Sequence, residues 1–194
     1  MTASTTQSLS AYRQAFKKFN HFMLWMWRLG FRRWINIWPK VIGRIMVITH
    51  TGRKSGLRRQ TPVNYSIIDG DIYCTAGFGH VSDWYRNILA NPQVEVWLPD
   101  SWWAGLAEEA DSSENRLTAL RQVLKDSGFA APMFGVNPHQ LSEQEFEQAT
   151  TDYRLIRIRR TQKLSGRGGP GDLAWVWLFP LLICIVVLIR QFLK

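Results

Sequence analysis

The sequence predicts an α+β fold, a small and mainly antiparallel β-barrel with short helices, followed by one transmembrane helix. Three observations predict it. Short stretches of alternating apolar residues recur through the middle of the 194-residue chain between turn residues, which is typical of antiparallel strands. Short helical patterns interrupt these stretches without the regular strand and helix alternation of a parallel sheet. A long uncharged apolar run lies near the end of the chain.

The strands are predicted from apolar alternation between turns rich in glycine, proline and aspartate. The stretches that qualify are residues 43–51, 61–68, 72–76, 94–98, 102–109 and 154–160. A glycine-bounded basic turn over residues 52–59 separates the first two, and the Asp-Gly-Asp turn 69–71 separates the second from the third. This order indicates consecutive antiparallel strands and a late strand that closes the sheet.

Helices are predicted where apolar residues recur at intervals of three and four. Asp83 can cap a short helix that runs to Leu89, before an Asn-Pro pair. Residues 113–125 place leucines and a valine on one face of an amphipathic helix. Ser142 and Glu145 have the spacing of a capping box, which predicts a further short helix.

The apolar run over residues 173–189 carries no charged residue and predicts a helix that crosses a membrane. Trp175 and Trp177 lie at its first end, where amphipathic rings occupy the headgroup layer. The alternative is a buried core helix, but the run follows a glycine-rich stretch and no predicted domain remains to bury it. More basic residues precede the run than follow it, so the positive-inside rule predicts a cytoplasmic main domain. The preceding ones are Arg157, Arg159, Arg160, Lys163 and Arg167.

The N-terminal residues are polar and lack the basic start and apolar core of a secretory signal. Phe16, Phe19, Met23 and Trp27 then recur at helical spacing, while basic residues interrupt any membrane-spanning length. This segment is either an interfacial amphipathic helix or a helix packed on the domain or across a dimer, and both can hold in turn. The predicted organisation is an N-terminal segment 1–40, a barrel domain 41–162, a linker 163–172 and a transmembrane helix 173–192.

The formal net charge of +9 and the ten tryptophans point to nucleic acid, a membrane surface or an anionic ligand. Nucleic acid is disfavoured because the basic residues concentrate at one turn and at the two membrane-adjacent ends, without a recognised motif. Cys74 and Cys184 are poor disulfide partners, so a reduced compartment is expected. The four histidines are scattered singly, and no metal site is predicted.

The turn over residues 52–59 is the densest functional signal in the sequence. Its glycines leave backbone N–H groups free to face a ligand, and a phosphate or carboxylate would bind through charge-assisted hydrogen bonds. Its cations are Arg53, Lys54, Arg58 and Arg59. It is not a nucleoside-triphosphate loop, because Gly56 is not followed by Lys-Ser/Thr. The alternative is a solvated basic turn.

Two segments, VITHTGRKSGLRRQTPVNY and AGFGHVSDWYRNILANPQVEV, resemble the deazaflavin-dependent nitroreductase family, F420-dependent oxidoreductases of the split β-barrel type. The resemblance extends over about residues 43–160. It implies an oxidoreductase that uses F420, with FMN as the alternative cofactor. Hydride transfer is the cofactor's chemistry, so the protein supplies position and electrostatics. The expected acceptor is an electron-poor, membrane-soluble molecule such as a quinone.

The resemblance also implies which residues bind the cofactor. The phosphate tail is assigned to Gly52, Arg53, Lys54 and Ser55, and its carboxylates to Arg58 and Arg59. The ring is assigned to Pro62, Val63, Asn64 and Tyr65. Further phosphate and ring contacts are assigned to Ala76, Gly77, Phe78, Gly79, Trp84, Tyr85 and Asn87. Asp83 stands where the family often has proline, and the loop before it is shorter than in the nitroreductase branch.

Tyr65 and Tyr85 are the candidate catalytic residues, because either hydroxyl can hydrogen-bond a developing oxyanion. For each, a half-buried packing role is the alternative. The competing function is a non-catalytic carrier of flavin, haem or lipid on the same fold, since fold does not fix function. A homodimer is expected if the pocket is completed across subunits.

Overall fold

The computed structural model describes residues 18–37, 41, 43–111 and 115–192. Predictions that involve Phe16 and the start of the helix at residue 113 lie outside these residues. Six strands are present: β1 (Ile45–Thr51), β2 (Arg58–Ile68), β3 (Asp71–Ala76), β4 (Gln93–Trp97), β5 (Trp102–Glu109) and β6 (Arg154–Lys163). They close into a barrel in the order β1-β2-β3-β6-β5-β4, and every neighbouring pair is antiparallel. The predicted fold class is confirmed.

Two strands are longer than their apolar patterns indicate. β2 begins at Arg58 because Arg58 pairs with Thr51, so the hairpin turn is confined to residues 52–57. β6 continues to Lys163, which pairs with Trp103 of β5. These extensions consist of polar and mostly exposed residues. Backbone pairing with the neighbouring strands holds them in the sheet, although no apolar alternation predicts them.

Two 3₁₀ helices, Gly79–Val81 and Ala174–Trp177, and seven α-helices of more than one described residue occur in the described part of the chain. The α-helices are α1 (residues 18–28), α2 (Arg32–Ile35), α3 (Asp83–Ala90), α4 (Arg116–Asp126), α5 (Ala130–Met133), α6 (Glu143–Ala149) and α7 (Leu178–Phe192). The capping box of α6 is present, with the Ser142 hydroxyl accepting from the Glu145 N–H. The prediction that Asp83 caps α3 is wrong. Ser82 occupies the N-cap position, and Asp83 lies in the first turn of the helix.

The core consists of one cluster inside the barrel and a second cluster beneath α4 and α6. Ile48, Ile72 and Ile158 are fully buried in the first cluster, and Leu120 and Phe146 in the second. Tyr85 and Ile88 of α3 belong to the barrel cluster, so apolar packing fixes α3 beside the end of β1. Such burial contributes roughly 25 cal/mol per Å² of apolar surface removed from water.

The two ends of the described chain meet on the outside of the barrel. Met23 and Trp27 of α1 are buried, and Trp27 packs with Val47 and Trp97. The predicted linker is not a free tether, because the Gly171 N–H donates to the Trp27 carbonyl at 3.0 Å. After it, Ala174–Gln191 forms a helical stretch long and apolar enough to cross a membrane, with a mean hydropathy of 2.1 and none of it buried against the protein.

Gly79 is required by packing, and its substitution provides a test of the fold. Its φ is +57°, and a Cβ at this position would lie 2.4 Å from the Asp152 carbonyl oxygen. We expect Gly79→Ala to lower the free energy of unfolding by about 1–3 kcal/mol. The measurement is urea denaturation in detergent.

The matched control is Gly77→Ala, two residues earlier. A Cβ at Gly77 would meet the Tyr153 ring at an ordinary distance of 3.7 Å. Equal destabilisation by the two variants would contradict the packing argument.

Candidate cofactor site

The turn between β1 and β2 is tightly closed by its own backbone. The Gly52 N–H donates to the Leu57 carbonyl at 2.9 Å, and the Gly56 N–H donates to the Gly52 carbonyl at 2.8 Å. Gly56 has a φ of +64°, where glycine is favoured. A Cβ at Gly52 would lie 2.8 Å from Ser55 Oγ and 3.1 Å from Arg59 Nε, so glycine allows the side chains to converge.

The backbone of this turn does not form the predicted N–H cradle. Five of its N–H groups already have acceptors within the protein, and the Arg53 N–H donates to Asn87 Oδ1 at 3.1 Å. The five belong to Gly52, Arg53, Ser55, Gly56 and Leu57. An anion at this turn must therefore be bound chiefly by side chains.

A cavity of about 310 Å³ lies between the turn and α3. Its lining residues are Gly52, Arg53, Lys54, Ser55, Arg59, Asp83 and Asn87. All except Asp83 belong to the predicted cofactor-binding set. Three cations and one hydroxyl around one cavity form a donor set that fits phosphate and carboxylate groups. The residues present therefore fit the acidic tail of the implied cofactor.

Arg53 is held in place by α3. Its Nη1 donates to Asn87 Oδ1 at 2.9 Å, and its Nη2 pairs with Asp83 Oδ1 at 3.0 Å. The hydrogen bond from Arg53 lowers the pKa of Asp83, and the Arg53, Arg86 and Lys54 charges act in the same direction. Asp83 is largely exposed, so it orients Arg53 while offsetting only part of the positive charge.

His50 is part of the site, and the sequence analysis missed it. It is buried near the end of β1, with its ring Nδ1 3.3 Å from Asn87 Nδ2 and its Nε2 3.2 Å from Thr61 Oγ1. The backbone N–H and guanidinium of Arg53 can only donate, so Asn87 presents its oxygen to Arg53 and its NH₂ group to His50. The His50 Nδ1 is therefore the acceptor, and His50 is neutral with its proton on Nε2.

The environment of His50 favours this neutral form. Burial, together with the nearby Arg59 charge, lowers the pKa of His50 to about 4. The neutral ring fixes the Asn87 amide, which in turn fixes Arg53 at the cavity wall. In the sequence, the position of His50 just before the basic turn was the signal that could have indicated its role in the site. The partner on α3, however, is 37 residues away in the chain.

Several predicted binding residues lie outside the cavity. Arg58 forms an ion pair with Glu95 at 2.6 Å, so its guanidinium is directed along the outside of the barrel. Asn64 donates to the Arg44 carbonyl at 3.2 Å, and Phe78 makes an edge contact with Phe134. The others are core or loop residues: Pro62 and Ala76 are buried, Val63 and Trp84 pack against the barrel cluster, and Gly77 and Gly79 lie in the loop before α3.

The two candidate tyrosines are buried in the barrel cluster. Burial raises the pKa of Tyr65. Burial also raises the pKa of Tyr85, and the hydrogen bond that its hydroxyl donates to Glu109 acts in the same direction. Both hydroxyls are thus neutral donors, and Tyr85 already has an acceptor. Their catalytic role stays a prediction.

The lowered pKa of His50 predicts a specific loss of stability in acid. Unfolding returns the imidazole to its ordinary pKa near 6.5, so the unfolded chain binds a proton that the folded chain rejects between pH 6.5 and 4. Relative to a His50→Gln variant, the wild type should lose about 3 kcal/mol of unfolding free energy as the pH falls through this window. Urea denaturation in detergent at several pH values measures it.

A His139→Gln variant at an exposed position is the control for the substitution itself. A constant difference between wild type and His50→Gln from pH 7 to pH 4 would contradict the buried neutral histidine.

The chain has similarities to known proteins in sequence and in fold. A comparison with curated protein sequences finds no match. Similar solved structures include the F420-H2 dependent reductase FDR-A, with 22% identity, a TM-score of 0.44, and coverage of 60% of this chain and 94% of that chain. They also include a putative pyridoxamine 5'-phosphate oxidase from Listeria innocua, with 15% identity, a TM-score of 0.43, and coverage of 62% and 86% respectively.

A family model described as F420H(2)-dependent quinone reductase matches residues 36–130. This segment includes the first five strands, the basic turn and α3, so the whole cavity lies inside the match. Through this segment, the chain is similar to the F420H(2)-dependent quinone reductase family, and the match supports an F420-dependent oxidoreductase.

Proposed function

We propose that this protein transfers a hydride from reduced F420 to a quinone-type acceptor at the surface of a membrane. The observation that carries the proposal is the cationic cavity inside the family match, with Arg53, Lys54 and Arg59 converging on it. F420, when bound in its reduced form, supplies the hydride. The chain itself binds the cofactor's acidic tail, orients the ring and limits access of water.

Each cavity residue has a separate task in this proposal. Arg53, Lys54 and Arg59 bind the phosphate and carboxylates of the tail, and the Ser55 hydroxyl donates to them. Asn87 positions Arg53 and is itself oriented by His50. Because Arg53 is prepositioned, little side-chain freedom is lost when the tail binds.

The ring is proposed to lie along β2, beside Pro62, Val63 and Asn64. This strand leads away from the turn, so a cofactor whose tail occupies the cavity can extend along it. Tyr65 on the same strand is the hydroxyl donor proposed for the acceptor oxygen. Tyr85 on α3 is the second candidate, and it can donate only after its hydrogen bond to Glu109 is broken.

The acceptor is proposed to be membrane-soluble. The family description names a quinone, and the apolar helix Ala174–Gln191 would hold the barrel where such a molecule dissolves. The barrel is proposed to lie on the cytoplasmic side, because more basic residues precede α7 than follow it and the positive-inside rule favours that orientation. Nucleic acid is no part of this proposal, and a homodimer stays a prediction.

Removing the charge of Arg53 tests the tail site. A charge-assisted hydrogen bond contributes about 1.5–3 kcal/mol, so Arg53→Ala should weaken F420 binding by roughly tenfold or more. The measurement is a fluorescence titration of F420 with the full chain in detergent. Arg58→Ala should have a smaller effect than Arg59→Ala, because Glu95 holds Arg58 outside the cavity.

The matched control is Arg86→Ala on the exposed side of α3. Its guanidinium donates to the His80 carbonyl and does not line the cavity. If a folded Arg53→Ala protein binds F420 as tightly as the wild type, the tail does not bind here.

Turnover separates the oxidoreductase from the carrier on the same fold. The full chain in detergent should oxidise reduced F420 in a reaction that requires a soluble quinone. Tight binding without quinone-dependent oxidation would favour the carrier. If one tyrosine donates to the acceptor, its phenylalanine variant should lower kcat by about 10²-fold while F420 affinity stays unchanged. Tyr65→Phe and Tyr85→Phe serve as controls for each other.

A further inference from the structure

Helix α1 has two different apolar faces. One face packs on the barrel through Met23 and Trp27, which are 4% and 0% exposed. Phe22 and Trp25 lie on the other face and are 57% and 54% exposed. The described part of the chain leaves this second face open to its surroundings. Large aromatic side chains in such a position mark an interaction surface.

The end of α1 is joined to the segment that leads into α7. Arg28 binds Asp172 in a bidentate ion pair, with Nε–Oδ1 at 3.0 Å and Nη2–Oδ2 at 2.8 Å. The Gly171 N–H donates to the Trp27 carbonyl at 3.0 Å, and the Leu173 N–H donates to the Arg28 carbonyl at 2.9 Å. We call this set of contacts the clamp. It joins two segments that lie 144 residues apart in the chain.

A second contact joins the same segments one turn further on. Trp177 Nε1 donates to the Leu29 carbonyl at 3.0 Å, and its ring meets Phe31 edge-on at 5.4 Å. Gly30 has a φ of +93°, and a Cβ there would lie 3.3 Å from the Ala174 Cβ. The close approach at Gly30 brings the end of α1 to the first residues of the apolar stretch.

We propose that the exposed face of α1, with Phe22 and Trp25, is seated in the lipid headgroup layer and that the clamp holds it there. This inference rests on the proposed anchoring by α7. If α7 spans the bilayer, the exposed Trp175 and Trp177 at its start lie at headgroup depth. The clamp holds the end of α1 at that same depth, so its aromatic face enters the layer from the side.

Charge identifies lipid as the partner of this face and disfavours a second copy of the chain. Residues 18–37 contain no aspartate or glutamate. Their basic residues outside the clamp include Arg32 and Arg33, each of which contributes about 1 kcal/mol of attraction to anionic headgroups near the surface. A second copy would bring the same positive face and would be repelled.

We call the insertion of the Phe22 and Trp25 face into the headgroup layer the seat. The seat would fix the tilt of the barrel over the membrane. The glycine-rich chain between β6 and α7 contacts the barrel at Gly169, beside the Trp102 ring, and the clamp adds a second attachment through α1. With α1 packed on the barrel and clamped to the anchor, the cofactor cavity keeps one orientation. A lipid-dissolved acceptor then meets the site in a constant geometry.

Site-directed spin labelling of the full chain in vesicles of phosphatidylglycerol and phosphatidylcholine tests the seat. The label is attached at Phe22→Cys in a Cys184→Ser background, where the remaining Cys74 is buried. The control label is attached at Thr118→Cys, an exposed position on α4. We expect the Phe22 label to be accessible to oxygen and shielded from a water-soluble nickel reagent, and the Thr118 label to show the reverse.

The outcomes separate the seat from the anchor. Protein that floats with vesicles but carries a nickel-accessible Phe22 label overturns the seat and leaves the anchor intact. A Phe22 label shielded from both reagents, with dipolar broadening between labels, overturns it in favour of a second copy. Protein that does not float with vesicles overturns both the anchor and the seat.

Breaking the clamp tests its part in the inference. Arg28→Gln and Asp172→Asn each remove one partner, and both should raise the nickel accessibility of the Phe22 label severalfold while vesicle flotation and F420 affinity stay unchanged. The F420 measurement reports that the barrel is folded. If both variants leave the label shielded, the clamp does not hold α1 in place.

Discussion

Strand β1 is buried on both of its faces, and the other parts of the structure depend on this constraint. Its inward residues Met46 and Ile48 pack in the barrel cluster, while Val47 faces outward against Trp27 and Trp97. It pairs with β2 on one edge and with β4 on the other, which closes the barrel. His50 lies near the end of β1, and the strand then leads into the basic turn. One strand therefore connects the N-terminal helix, the core and the candidate cofactor cavity.

The cavity depends on a chain of contacts that begins in this buried strand. A neutral His50 orients the Asn87 amide, and Asn87 orients Arg53 through both its backbone and its guanidinium. Asp83 completes the support from the first turn of α3. The positive charge of Arg53 is thus fixed by folding. An acidic tail that bound at Arg53 would not have to order this side chain, which would lower the entropic cost of binding.

The same strand relates the cavity to the proposed membrane surface. Trp27 covers the outer face of β1, and the backbone next to Trp27 holds the segment that leads into α7. The two interpretations of the N-terminal segment are therefore compatible, because each concerns a different face of α1. Met23 and Trp27 pack on the domain, and Phe22 and Trp25 remain for the proposed lipid contact.

The sequence by itself determined the features that are local in the chain. The strand alternation, the capping box of Ser142 and Glu145, the apolar stretch in α7 and the cations of the turn all follow from residues within a few positions of one another. The tertiary structure decided the features that depend on contacts between residues far apart in the chain. It joined His50 to Asn87 and Arg28 to Asp172, and it paired Arg58 with Glu95 outside the cavity. The physical reason is that periodicity reports which face of an element is buried, whereas partners brought together by barrel closure leave no periodic signal in either segment.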